Sequence, residues 1–124
     1  MNTGSNVGSV PTGAAPRLVA ATLNATTLVL TFDRAVQVGE GAVEVYGAAS
    51  GGQTYTAVYA DGKLTLTFAK ALAADTYTVR VISDFVVGQG GVLDGEVVAP
   101  SDPASLPSGD GEPGGDAVLE FTVD

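Results

Sequence analysis

An all-β sandwich is the fold class this sequence predicts, and three observations predict it. Apolar residues alternate with polar ones at strand period in two segments, residues 27–33 (TLVLTFD) and 63–68 (KLTLTF). The pair Asp61-Gly62, just ahead of the second segment, is a two-residue hairpin signal. No stretch keeps helical spacing over a useful length.

Taken in order, residues 1–15 have the Gly/Ser/Thr/Pro composition of a linker or flexible arm, and the domain proper spans 16–124. A first strand is expected at 17–23. Asn24-Ala25-Thr26 then marks a turn; it also fits the N-glycosylation acceptor pattern, which matters only in a eukaryotic secretory host. In 27–33, Leu28, Leu30 and Phe32 share the buried parity. A third strand is expected at 42–47. Segments 53–59 and 63–68 pair across Asp61-Gly62, with Leu64, Leu66 and Phe68 facing inward. Residues 69–75 (AKALAAD) favour helix but amount to about two turns, too few for a stable isolated helix, and fit a corner between strands. The strand at 76–82 opens with Tyr77, placed to bury its ring and return its hydroxyl to nearby backbone, as in a tyrosine corner. The last strand is expected at 118–123. About seven antiparallel strands without helices read as an Ig-like β-sandwich, with a Greek-key barrel as the alternative.

Between the last two strands lies a loop, 84–116, rich in Gly, Pro, Ser and Asp. The charge of the chain is concentrated there. Residues 1–80 balance five acids against five bases; after Arg80 there are nine carboxylates and no base, giving the net −9. With so few bases, nucleic acid and anionic membrane surfaces are disfavoured partners. Absence of Cys and His removes thiol chemistry, zinc-thiolate sites and the commonest general base. No run of about 18 apolar residues suggests a membrane span, so no membrane insertion is expected. The start MNTGSNVGSV has neither a basic nor an apolar leader region, and the chain reads as a segment of a longer protein.

The block P-x-L-x-x-A followed by TLVLTFDRAV, and then DGKLTLTFAKALAADTYTVRV, resembles bacterial Ig-like domains of the S-layer-protein (SbsA-like) type over roughly residues 16–123. The matching positions are Phe32 to Val36, Asp61 to Thr67 and Leu72 to Val81. The C-terminal extension with its PSGDGEPGGD run is similar to those in large secreted proteins of planctomycete-type bacteria. The resemblance implies an extracellular or cell-surface setting, neighbouring domains in a longer chain, and a non-catalytic role as spacer or interaction module with a protein or glycan partner.

Two sets of residues are candidates for binding. A hard cation such as Ca²⁺ takes six to eight oxygens from carboxylates, carbonyls and water. Asp110, Glu112 and Asp116 fall within seven residues, and Asp84, Asp94 and Glu96 can reach the same end of a sandwich. The competing reading is that these acids are turn formers and solvated charges. A 33-residue connection inside a compact domain is functional or disordered, and Val86, Val87, Val92, Leu93, Val97, Val98 and Leu106 supply anchors that favour packing. The second set is Tyr46, Tyr55 and Tyr59, which a carbohydrate-binding module could use as a ring platform; cross-strand packing is the alternative.

Overall fold

A computed structural model describes residues 15–124 apart from 98, 103 and 104, so the arm expected at 1–15 lies almost wholly outside the described residues. All seven expected strands form. β1 (Leu18–Leu23) and β2 (Thr27–Phe32) are joined by the Asn24 turn, where the Asn24 Oδ1 accepts from the backbone N–H of both Thr26 and Thr27. Two-residue β3 (Gln37–Val38) follows, then β4 (Val43–Gly47), two-residue β5 (Gly51–Gly52) and β6 (Tyr55–Ala60). Asp61 and Gly62, both at positive φ, close the hairpin into β7 (Lys63–Phe68). The corner at 69–74 carries the chain from one sheet to the other, where β8 (Asp75–Val81) begins.

The expected strand-free loop at 84–116 needs correction. A 3-10 turn at Ser83–Phe85 leads into β9 (Val86–Gly88) and β10 (Gly91–Val92), which pair with each other. β9 also pairs with β3. Strands of two or three residues are too short for alternation to register in sequence. The final strand is β11 (Ala117–Val123).

Two four-stranded antiparallel sheets, β1-β2-β7-β6 and β11-β8-β4-β5, form the sandwich, with β10-β9-β3 as a small third sheet. Leu28, Leu30, Leu64 and Leu66 from the first meet Val45, Tyr77, Val79 and Leu119 from the second in one buried cluster. Each such side chain contributes about 1.5–3 kcal/mol on leaving water. Tyr77 is fully buried and its hydroxyl donates to Ala73 O at 2.7 Å, the expected corner bond.

The strand directions place the two ends of the domain apart. Leu18, at the start of β1, lies opposite Phe32, beside the Asp61-Gly62 turn. Val123, at the end of β11, lies opposite Asp75, beside the Asn24 turn to which Leu72 is bonded through Ala25 O. The chain therefore enters at one end of the sandwich and leaves at the other.

Candidate functional site

The acid-rich segment is built into the sandwich at its entry end. Asp94 N–H donates to Pro16 O, Ser108 N–H to Leu18 O, and Glu120 N–H to Pro100 O. The buried Ser108 hydroxyl accepts from Leu18 N–H and donates to Asp94 O. Val86 and Leu93 are fully buried, while Val97 and Leu106 pack partly against the core. Val87 is exposed, Val92 is half-buried, and Val98 lies outside the described residues. These bonds fasten the segment to the start of β1 and to Glu120 of β11, the end strands of the two four-stranded sheets.

Asp94 is the hub of this arrangement. Its side chain is 2% exposed, with Oδ1 accepting from Asp110 N–H and Oδ2 from Gly111 N–H, at 3.0 and 2.9 Å. Gly109, at φ +110°, lets the backbone pass over this carboxylate: a Cβ there would stand 2.5 Å from Oδ2. Burial pushes the Asp94 carboxyl up, but the two N–H groups and the Glu96 carboxyl outweigh it and hold it below the ordinary carboxylate range.

Glu96 and Asp110 complete the cluster. One carboxylate oxygen from each of Asp94, Glu96 and Asp110 lies within 4.8 Å of the other two. The Glu96 backbone N–H pulls its carboxyl down, yet the hydrogen bond shared with Asp94 and the charges of Asp94 and Asp110 win and raise it. Asp94 is buried while Glu96 and Asp110 are exposed, and together the three carboxylates could hold a metal ion. Oxygens 2.3–2.6 Å from a calcium ion are themselves at most about 5 Å apart, so the spacing fits one. Asp94 oxygens retain a lone pair each after accepting their backbone bonds.

The other three carboxylates proposed from sequence are placed elsewhere. Asp116 accepts from Ser83 N–H at 2.9 Å and pairs with Arg80 at 3.3 Å, tying the start of β11 to the end of β8. Glu112 is exposed, and its N–H donates to Asp110 Oδ1. Asp84 is exposed in the 3-10 turn.

The three tyrosines do not share a face. Tyr46 stands 39% exposed on the outer side of β4, alternating with inward Val45 and Gly47. Tyr55 and Tyr59 lie on β6, in the other sheet, half-buried against the core. Their hydroxyls are committed: Tyr55 donates to Val43 O, and Tyr59 accepts from Val36 N–H at 3.1 Å. Their rings flank a groove of about 430 Å³ floored by Leu64 and walled by residues 38–43.

Sequence reasoning missed one carboxylate. Asp75, at the start of β8, accepts from Ala49 and Ser50 N–H through Oδ2 and from Thr76 N–H through Oδ1. The Ser50 N–H is the largest influence, and these donors together bring the carboxyl down to about 2. The only local signal was an Asp at a strand mouth after a corner. Among the described residues no helix is long and apolar enough to cross a membrane. No family model, no curated protein and no solved structure matches the chain.

Proposed function

We propose that the chain is a non-catalytic, Ig-like spacer or interaction module of a larger secreted or cell-surface bacterial protein, of the S-layer type its motifs resemble, stiffened by Ca²⁺ at Asp94, Glu96 and Asp110. The observation that carries the reading is the entry of the chain beside Phe32 and its exit beside Asp75, at opposite ends of the sandwich. Modules with opposed termini string into an extended array. Six- and seven-residue strands rising about 3.3 Å per residue set neighbours roughly 20–25 Å apart.

The acidic segment fits this role because it fastens the entry point. It holds Pro16 and Leu18 through backbone bonds, and the three carboxylates gather in that same segment. A cation there ties the point where tension enters the domain to the edges of both sheets. At free calcium about 100 times the dissociation constant, binding adds roughly 2.7 kcal/mol to the folded state.

Single-molecule pulling from residues 15 and 124, in EDTA, in millimolar CaCl₂ and in millimolar MgCl₂, tests both parts. The expected record is one cooperative unfolding event whose force rises in calcium alone and loses that rise in Asp110→Asn. Extension without a resolved event sinks the spacer reading. A resolved event insensitive to calcium sinks the metal while leaving the spacer.

A further inference from the structure

We infer that the bare edge strand β6 is a self-association surface, on which a second copy of this chain adds its own β6 in antiparallel register centred on Ala57. The inference stands apart from the spacer and calcium readings and rests on other residues. The sandwich has two sides, and they are finished differently. On one, Asp94 bonds to Pro16 and Ser108 to Leu18 at the start of β1, and Glu120 of β11 bonds to Pro100. On the other, β6 ends its sheet, and among the described residues no strand lies beyond it.

The direction of its backbone groups follows from the ladder. Thr54 O accepts from Ala69 N–H, and Ala60 and Lys63 close the two-residue turn, so the even-numbered residues of β6 bond to β7. The N–H and C=O of Tyr55, Ala57 and Tyr59 therefore point outward. Exposed edge strands in natural proteins carry a Lys, a Pro, a bulge or an inward charge that discourages pairing. This one, YTAVYA, has no charge and no proline, keeps an unbroken register against β7, and shows Val58 67% exposed.

A second copy fits this edge for two reasons. A two-fold pair requires that if residue i meets residue j, j meets i. The sequence Tyr55-Thr56-Ala57-Val58-Tyr59 is near-symmetric about Ala57, so Tyr55 faces Tyr59 of the other copy and the two Ala57 residues face each other. All three pairs join residues whose free groups point outward, and each can exchange both its hydrogen bonds. Thr56 meets Val58 of the other copy on the outer face, a β-branched pair at the closer, non-bonded spacing. Charge also permits it. β6 belongs to the neutral part of the chain, five acids against five bases through residue 80, while the acid-rich segment packs along the opposite edge. Near this edge Glu40, Glu44 and Asp61 stand with Lys63, so two copies meet away from the nine carboxylates that follow Arg80.

Six-residue edges bury little area, which places association in the micromolar to millimolar range. Sedimentation at rising concentration should move the chain from 12.3 kDa toward twice that mass. Ala57→Pro removes an N–H that β7 does not use, so the monomer keeps its ladder. Losing the two central bonds should raise the concentration for half-association by about tenfold or more. The native chain has no cysteine, which makes register directly readable. Thr56→Cys mixed with Val58→Cys should form a disulfide-linked pair on mild oxidation, since those positions face each other at bonding distance. A chain that stays at 12.3 kDa at millimolar concentration overturns the inference, as does equal association by Ala57→Pro. Cross-linking of Thr56→Cys or Val58→Cys each with itself, in preference to the mixture, overturns the register.

Discussion

Replacing Asp94 with Ala should cost about 2–3 kcal/mol, and the figure follows from what the side chain touches. It accepts two backbone bonds, from Asp110 and Gly111. Bonds to a charged acceptor contribute about 1.5–3 kcal/mol each, or roughly 3–6 for the pair. Against this stands the cost of keeping a carboxylate 2% exposed, which the variant no longer bears and which returns a few kcal/mol. Urea unfolding in EDTA at pH 7 should show a lower midpoint at unchanged m, and the thermal midpoint should fall by about 10 °C. Asp94→Asn should cost a similar amount, because its amide turns a donor toward one of the two N–H groups. The penalty must also vary with pH in one direction. The folded-state carboxyl titrates below its ordinary 3.8, so its contribution is complete above that value and is lost as pH falls through the lower, folded one. Hydrogen exchange locates the effect: the amides of Asp110 and Gly111 should lose protection while Val79 keeps its own. A loss under about 0.5 kcal/mol, the range of ordinary surface substitutions, would refute the hub assignment. A neutral Asp94→Asn beside a damaging Asp94→Ala would show that shape matters there and charge does not.

Tyr77→Phe strips Ala73 O of its partner at a part-buried corner and should lower stability by about 1 kcal/mol in denaturant titration, with no change in m. Glu96 is displaced the opposite way from Asp94: its folded carboxyl lies above the ordinary 4.5, so its contribution is present below that pH and lost as pH rises through the raised value. Glu96→Gln should therefore raise the thermal midpoint in EDTA at pH 7 while weakening any response to calcium; a lowered midpoint would contradict the repulsion described. For Asp75, brought down to about 2, stability is complete above 3.8 and is lost as pH falls toward 2. Asp75→Ala should accordingly reduce the difference between midpoints at pH 5 and pH 2.5, read by circular dichroism, and an undiminished difference would remove Asp75 from the acid response.

The strands were legible because their signals are local. Leu28, Leu30 and Phe32, or Leu64, Leu66 and Phe68, declare a buried face within six residues, and Asp61-Gly62 declares its own turn geometry. Tyr77 was legible because its partner, Ala73, is four residues away. What escaped were contacts with no local trace. Ser108 meets Leu18 across 90 positions, and nothing near either residue announces the other. Asp116 looked like a third member of the Asp110-Glu112 run, yet its neighbours in space are Ser83 and Arg80. The six carboxylates proposed for a cation therefore separated into a convergent trio and three residues with other partners or none nearby. Spacing in a Gly-rich segment fixes how close two acids can come, while the backbone path decides which ones do. The tyrosines separated for a different reason: parity placed Tyr55 and Tyr59 together, but the sheet to which Tyr46 belongs is a tertiary property.

The asymmetry of charge and the asymmetry of edges have one physical root. An open sandwich leaves strand ends with unpaired N–H and C=O groups, and each side needs some answer to them. Here a long connection supplies backbone partners to Pro16 and Leu18 at the start of β1 and to Glu120 of β11. Such a connection has little core of its own, so it must turn often, and turning brings Gly, Pro, Ser and Asp. The acids come with the turns, and their convergence at Asp94, Glu96 and Asp110 is then a cost that a shared proton or a bound cation can offset. A cation bound there would secure the connection, which in turn holds Pro16 and Leu18 at the end where the chain enters. Among the described residues the β6 side has no such connection, and its uncharged, near-symmetric strand is what the proposed second copy would cover.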